Sequence, residues 1–402
     1  MIRACGLDVH KDTVFCATYD GKRHGQVVEY STLTPAIKEM GATLQSEGVQ
    51  QIAMESTGIY WVPIWNILED MGFDLILVNP YLIKQMPGRK SDVKDAQWIA
   101  TLLHKGLLRG SLIPCENIRE LRTYSRKYYR LLHRQTSVLN ELERTLELCS
   151  IRITSFVSNN SSKSVMKVVS HIIQGETNPD ALVSMIHNRI VNKHTKEKIR
   201  DALTGHITPH HRIMLKQTKE EYEMLIRQSE ECLQLMEELC KAHYHEEMKL
   251  LQTIPGISLI SAMIIIAETG ADMRVFENSG RFSGWTGLRP RNDESAGKYK
   301  STATTKGNRY LKCILVQVAW AASRTKGSYF KEKFTRLAMR KNRKKALVAI
   351  ARKLGVLIWN VLYYKQPYNT EKPIIYAPEK LQAKLNYHQR EYSRLEKLIR
   401  TA

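Results

Sequence analysis

The sequence predicts an α/β N-terminal domain followed by a mainly all-α remainder, and three observations predict it. Over the first 110 residues, short apolar runs alternate with helical stretches. Near Ile118 the composition changes to long polar helices with three-four apolar spacing. From about Leu250 onward, apolar helices alternate with strongly cationic and Gly/Ser-containing segments. At 402 residues the chain is long enough for two or three domains. The expected boundaries are 1–115, 116–249, 250–366 and a helical tail, 367–402, whose role the sequence does not specify.

In the first segment, residues 2–7, 13–19, 26–30, 51–54 and 73–78 read as strands, opening with a hairpin or meander, and residues 34–45 read as a helix. Asp8 follows the first apolar run in GLDVHK, so it stands at a strand's carboxyl end. Glu55 repeats that arrangement in MESTG, before a turn-forming Ser-Thr-Gly. Asp92 and Asp95, three apart in KSDVKDA, head a helical segment and project from one face of its first turn. Taken alone, Asp92 is equally an N-cap or first-turn acid favoured by the helix dipole. A carboxylate on a central strand is costly to bury unless it is paired or bound to metal. Three elements thus offer acids to one point. Mg²⁺ binds through a few carboxylates plus phosphate oxygens, and a pair of such ions stabilises both oxygens of an in-line phosphoryl displacement.

The middle segment reads as two long helices. Tyr128, Leu132, Leu139, Leu142, Leu146 and Cys149 mark one seam, with Gln135 as a polar interruption. Leu215, Tyr222, Leu225, Cys232, Met236 and Leu239 mark the other, with Thr218 and Ser229 as breaks. The spacing predicts an antiparallel coiled-coil arm, or a helix pair packed on its own domain. Between them, SNNSSKS at 158–164 reads as a loop followed by smaller helical pieces to about Gly205.

In the third segment, the Ile254-Pro255-Gly256-Ile257 turn precedes an apolar helix. Such a turn either presents backbone N–H groups to a phosphate or simply reverses the chain. Ser295 lies in a glycine-flanked loop between basic segments, where serines are also common for turn geometry alone. Arg289, Arg291, Lys298, Lys306, Asn308 and Arg309 surround it in sequence as candidate nucleic-acid contacts.

The net charge of +21 is unevenly distributed. Residues 1–110 hold 11 Lys/Arg against 12 Asp/Glu, whereas residues 271–365 hold 22 against 5. Such a bias favours a polyanionic partner. Any one basic run, such as RKNRKK at 340–345, can equally be a solvated helix face. No stretch reads as the 18–20 apolar residues that would cross a bilayer, so no membrane partner is expected. Seven cysteines without CxxC or Cys/His zinc spacing point away from a disulfide framework. With no signal-peptide pattern at the start, the sequence reads as cytoplasmic.

GLDVHK, MESTGIYW, NPYLIKQMPGRKSDVKDAQWIA, the downstream PGI and GLRPRNDESAGKYKSTATTKGNRYLK together resemble the DEDD transposases, insertion-sequence recombinases related to the Piv DNA invertases. The resemblance spans residues 3 to about 365; the middle segment shares layout more than motif. It implies an RNase H/RuvC-like N-terminal domain, a coiled-coil arm and a small, mainly α C-terminal transposase domain. It carries the metal-binding acids onto Asp8, Glu55, Asp92 and Asp95, with Mg²⁺ as cofactor and Mn²⁺ as a substitute. It carries the nucleophile onto Ser295, with Ala296 standing where many members have glycine and Ser301 as the fallback. It further implies donor and target DNA, a structured non-coding guide RNA (a bridge RNA), and a homo-oligomer, dimer or tetramer, in which the carboxylate domain of one subunit meets the serine domain of another. The implied activity is RNA-guided recombination through a covalent phosphoserine intermediate. The alternatives are a RuvC-like structure-specific nuclease or an invertase without a guide RNA, and a non-catalytic nucleic-acid-binding protein.

Overall fold

The computed structural model describes residues 3–55, 58–79, 91–108, 110–291, 293–295, 298–301, 303–340, 342–369 and 378–401. The chain forms two compact units, Met1–Pro114 and Cys115–Ala402.

The first unit is a mixed sheet with helices. Its elements are β1 (Arg3–Val9), β2 (Thr13–Tyr19), β3 (Val28–Ser31), α1 (Thr34–Ser46), β4 (Val49–Glu55), α2 (Trp61–Asp70), β5 (Asp74–Val78) and α3 (Asp92–His104). The strand order is β3-β2-β1-β4-β5. The hairpin strands pair antiparallel, whereas β1–β4 and β4–β5 are parallel. This is the RNase H/RuvC-like arrangement, with β1 central. The first strand runs further than its apolar pattern suggests, through Asp8 to Val9, because antiparallel pairing with β2 extends from Ala4 to Val9.

Alternation along β1 divides the core. Cys5, Leu7 and Val9 pack with Ile37 and Met40 of α1 and Ile64 and Leu68 of α2 on one face. Ala4 packs with Ala53, Val78, Ile99 and Leu103 on the other, against α3. Gly6 and Asp8 share Ala4's face because strand side chains alternate with period two. Glycine is required at position 6 by proximity: a Cβ there would lie 2.3 Å from the Ala96 carbonyl oxygen and 2.4 Å from the Ala100 nitrogen. The backbone of α3 therefore lies flush on β1. Its start is fixed by Ser91, whose hydroxyl accepts from the Lys94 N–H; Asp92 is thus the first helical residue rather than the cap.

The second unit is helical. Helices α4 (Glu116–Leu148) and α9 (Pro209–His243) are separated in sequence by α5 (Lys163–Gln174), α6 (Pro179–Ser184), α7 (Asn188–His194) and α8 (Lys196–Ala202). Then follow α10 (His245–Gln252), α11 (Leu259–Thr269), α12 (Ser279–Trp285), the hairpin β6 (Asp293–Ser295) and β7 (Lys298–Ser301), α13 (Arg309–Ala322), α14 (Tyr329–Arg340), α15 (Arg343–Tyr364) and α16 (Pro378–Thr401).

Helices α4 and α9 pair antiparallel, as shown by Leu142 and Leu146 packing near Leu215 while Gln135 bonds to Leu225 and Ser229. On α9 Leu215, Leu225, Cys232 and Met236 of the expected seam are buried together with Thr218 and Ser229, Tyr222 is half-buried, and the seam ends on Cys240 rather than on the half-buried Leu239. On α4 Leu142 and Leu146, and Cys149 at its C-cap, are buried as expected, but between 131 and 139 the seam is displaced by one residue: Leu131 and Val138 are buried, Leu132 is exposed and Leu139 only half-buried. Adjacent apolar residues at 131/132 and 138/139 left two phases open, and packing against Leu225 and Cys232 selects the first. The short helices gather with Leu142, Leu146 and Leu215 into a separate apolar cluster at the far end of this pair.

One further expectation is corrected. Helix α15 is long and apolar enough, by length and composition, to cross a membrane. Half of its apolar window is buried inside the fold, where Ile350, Leu354, Ile358 and Leu362 face neighbouring helices. The Pro-Gly turn is a packing turn: Gly256 has φ +90°, and a Cβ there would lie 2.7 Å from the Ala322 nitrogen and the Val318 carbonyl oxygen. Its backbone is pressed onto α13. All seven cysteines are free thiols, with Sγ of Cys5 and Cys16 3.5 Å apart.

Candidate active site

Asp8 is almost fully buried, on the α3 face of the central strand. His10, just past the end of β1, places Nε2 3.3 Å from Asp8 Oδ2 and 3.6 Å from Asp92 Oδ1. Ligand atoms of Asp8, His10 and Asp92 all lie within 4.8 Å of one another. Nε2 of His10 is within ion-pair reach of both acids yet aligned for a hydrogen bond with neither. Glu55 closes β4, whose Met54 pairs with Leu7, and the neighbouring Ala53 packs against α3; Glu55 therefore stands beside Asp8 on the same face.

Burial raises the Asp8 carboxyl to about 6; His10 opposes the shift, and the charges of Glu55, Asp92 and Asp95 add to it. All four expected acids therefore act on one point, although only Asp8 and Asp92 join the tight group with His10. Asp8 is buried whereas Asp92 at its side is exposed, and a mutually repelling carboxylate set of this kind is what a divalent cation relieves. Carboxylate oxygens are the ligands that hard divalent ions prefer.

The serine hairpin is paired along its described arms and anchored at its root. Ser295 ends β6 opposite Lys298, and its side chain and that of Lys298, with residues 296–297, lie outside the described residues. Below the hairpin, the Arg291 N–H donates to Ala303 O at 3.0 Å and the Thr305 N–H to Arg289 O at 2.9 Å. Gly307 sits against Gly287: a Cβ at 307 would lie 2.3 Å from the Gly287 nitrogen. Arg289, Arg291 and Lys306 are exposed. Arg309 is exposed but lies 4.8 Å over the Tyr310 ring and donates to its hydroxyl.

Asn308, expected as a nucleic-acid contact, is committed elsewhere. Its Oδ1 accepts from the Tyr310 and Leu311 N–H groups, capping α13, and its Nδ2 donates to Glu268 at 2.6 Å. Glu268 is fully buried on α11 and receives a bidentate pair from Arg126 of α4, both bonds 2.9 Å. Arg122 donates to the Ala267 and Glu268 carbonyls. This hydrogen bonding raises the Arg126 guanidinium, whereas burial lowers that of Arg122. The network ties α4, α11 and the helix that leaves the serine hairpin.

Sequence reasoning missed His10, Gly6 and Glu268. His10 was findable, being two residues beyond Asp8 in strand phase. Glu268 was too, as one acid within an otherwise apolar helix. Nothing local signals Gly6, whose constraint comes from a helix some ninety positions away.

Residues 5–151 match the DEDD transposase model of the IS110 group, and residues 248–335 match that of the transposase IS116/IS110/IS902 family. The provisionally named transposase y4pF/y4sB of Sinorhizobium fredii is 32% identical over 144 residues, covering 33% of this chain but only 36% of that protein. The transposase for insertion sequence element IS1111A of Coxiella burnetii is 22% identical over 377 residues, covering 91% of each chain. Thermus thermophilus RuvC, solved in complex with a Holliday junction substrate, aligns at 11% identity and a TM-score of 0.22, over 28% of this chain and all of that one. The acids of the first unit and the serine hairpin of the second fall within the two matched regions, and the chain belongs to the DEDD transposases of the IS110 family.

Proposed function

We propose that the protein is a Mg²⁺-dependent, RNA-guided DNA recombinase of an insertion sequence, acting through a covalent phosphoserine intermediate. The observation that carries this reading is the buried Asp8, raised to about 6 by desolvation and by three further acids, with Asp92 and His10 beside it. Divalent ions held by Asp8, Glu55, Asp92 and Asp95 would neutralise charge on the attacking and leaving oxygens.

Ser295 Oγ attacks the scissile phosphate. As the Oγ–P bond forms, one backbone P–O ester bond breaks; the serine proton leaves, and the departing oxygen becomes a free hydroxyl by taking up a proton. Attack by a hydroxyl on another strand reverses the step and frees the serine, so the bond energy is retained and no nucleotide cofactor is consumed. A guide RNA supplies sequence by base pairing while the protein reads backbone, which suits the cationic second unit. The domain roles follow as 1–115 for the metal-binding acids, 116–249 for a spacer arm and 250–366 for the serine, in an oligomer of this chain.

The gene with its native flanking DNA is expressed beside a target plasmid, as wild type, Ser295→Ala and Asp8→Ala. Precise new junctions and protein-linked DNA ends are expected only with wild type. Breaks with free ends surviving in Ser295→Ala would replace the recombinase with a metal-dependent nuclease. Junctions surviving in Asp8→Ala would remove the carboxylates from the chemistry.

A further inference from the structure

A cavity of about 810 Å³ opens at the root of the serine hairpin, lined by Leu288, Pro290 and Thr304 on one side and by the start of α15 on the other. Arg340, Lys344, Lys345 and Arg352 stand around it, all exposed. Among the described residues none of the four has an ion pair, whereas elsewhere in this unit exposed cations find carboxylates, as in Lys216–Glu220, Lys241–Glu237 and Arg281–Glu277. A merely solvated face would be expected to mix signs; this one is cationic only. Its floor is apolar, from Leu288, Pro290, Val348 and Ala349. The N-terminus of the 22-residue α15, with Asn342 bonded to the Lys344 N–H at 2.8 Å, adds a positive dipole end at the same rim.

Resting on the function proposed above, we infer that this groove binds a single-stranded nucleic-acid segment and leads it to the Ser295 hairpin. Arg340, Lys344, Lys345 and Arg352 hold successive phosphates, and the apolar floor takes sugar and base faces that a duplex keeps stacked. Pro290 and Thr304, which bridge the two arms of the hairpin root, form the wall nearest the serine. Arg340, Lys344 and Lys345, in a basic run ambiguous in sequence, thereby gain a specific role: they make the backbone contacts that fix the strand's register, without reading bases.

The test measures binding of the full chain to fluorescent oligonucleotides in chelator, where no cleavage intervenes, as a function of salt. Single-stranded DNA, single-stranded RNA of the same sequence and duplex DNA are compared. The Lys344→Gln/Lys345→Gln/Arg352→Gln variant should lose about 2 units of slope in log Kobs against log[salt] on a single strand, from three phosphate contacts at about 0.7 each. A control of equal charge change, Lys193→Gln/Lys196→Gln/Lys198→Gln on α7 and α8, should keep the wild-type slope. Gln is a good helix former, and circular dichroism melts verify that both variants fold. Loss on DNA or on RNA supports the groove and identifies which strand enters it. Equal slopes for the wild type and the groove variant, equal losses in both variants, or a loss confined to duplex would overturn the inference. Wild type binding no nucleic acid at all would instead overturn the proposed function.

Discussion

Gly6→Ala isolates the coupling between the central strand and the acids of α3. The added Cβ would meet the Ala96 carbonyl oxygen at 2.3 Å and the Ala100 nitrogen at 2.4 Å, whereas ordinary contact begins at 3.4 Å. Both obstacles are helix backbone, so no side chain can rotate away and α3 must retreat by about 1 Å. Overpacking of this kind costs about 1–3 kcal/mol, which a fold of this size can survive. The functional consequence is larger, because Asp92 and Asp95 move with α3 while Asp8 stays on β1. Metal–oxygen distances tolerate only about 0.2 Å. Gly6→Ala should therefore remain folded yet lose its Mg²⁺ response. Hydrogen exchange over β1 and α3, with and without Mg²⁺, provides the measurement: the wild type gains protection at saturating ion, about 2.7 kcal/mol at a hundredfold excess over Kd, and the variant gains almost none. Full Mg²⁺ protection in Gly6→Ala would refute the claim that this glycine sets the distance between the acids.

Other outcomes follow from the same geometry. Arg126→Ala leaves Glu268 buried with only Asn308 and Arg122 nearby, and should destabilise the second unit by about 3 kcal/mol in denaturant unfolding. Arg126→Lys should recover only part of that loss, because a lysine cannot restore the bidentate pair. The Asp8 carboxyl is raised above its unfolded value, so its folded form binds a proton more tightly; stability in chelator is fully present below about pH 4 and falls as pH rises toward about 6, by at most about 3 kcal/mol. Asp8→Asn should flatten that dependence, and an unchanged profile in thermal melts would sever the link. Gly256→Ala should destabilise the α11–α13 packing by more than 1 kcal/mol, since it adds both a positive-φ penalty and a backbone clash.

Much of the first unit was legible because central strands buried on both faces write short continuous apolar runs into the sequence. Asp8 and Glu55 could be placed because each ends such a run, and the start of α3 because its acids gather in the first turn. The phase of α4 was not legible, since Leu131/Leu132 and Val138/Leu139 offer two equivalent stripes and only the partner helix chooses. The capping role of Asn308 was not legible because its neighbours in sequence are cations, whereas its partner in space is Glu268, forty positions earlier. The turn at Gly256 shows the same limit: a Pro-Gly pair fixes a reversal but not what lies against it.

The polar interruption at Gln135 has a mechanical consequence. Its Nε2 donates to both the Leu225 carbonyl and the Ser229 hydroxyl, each at 3.0 Å, midway along two helices of 33 and 35 residues. Apolar seams alone tolerate sliding by a heptad, which would shift one helix along the other by about 10 Å. Such a slip would strand the Gln135 amide opposite apolar seam side chains, so one alignment is selected. Each helix is about 50 Å long at 1.5 Å per residue. With its alignment pinned, the pair behaves as a ruler, holding the apolar cluster of short helices at a set distance from the network around Glu268.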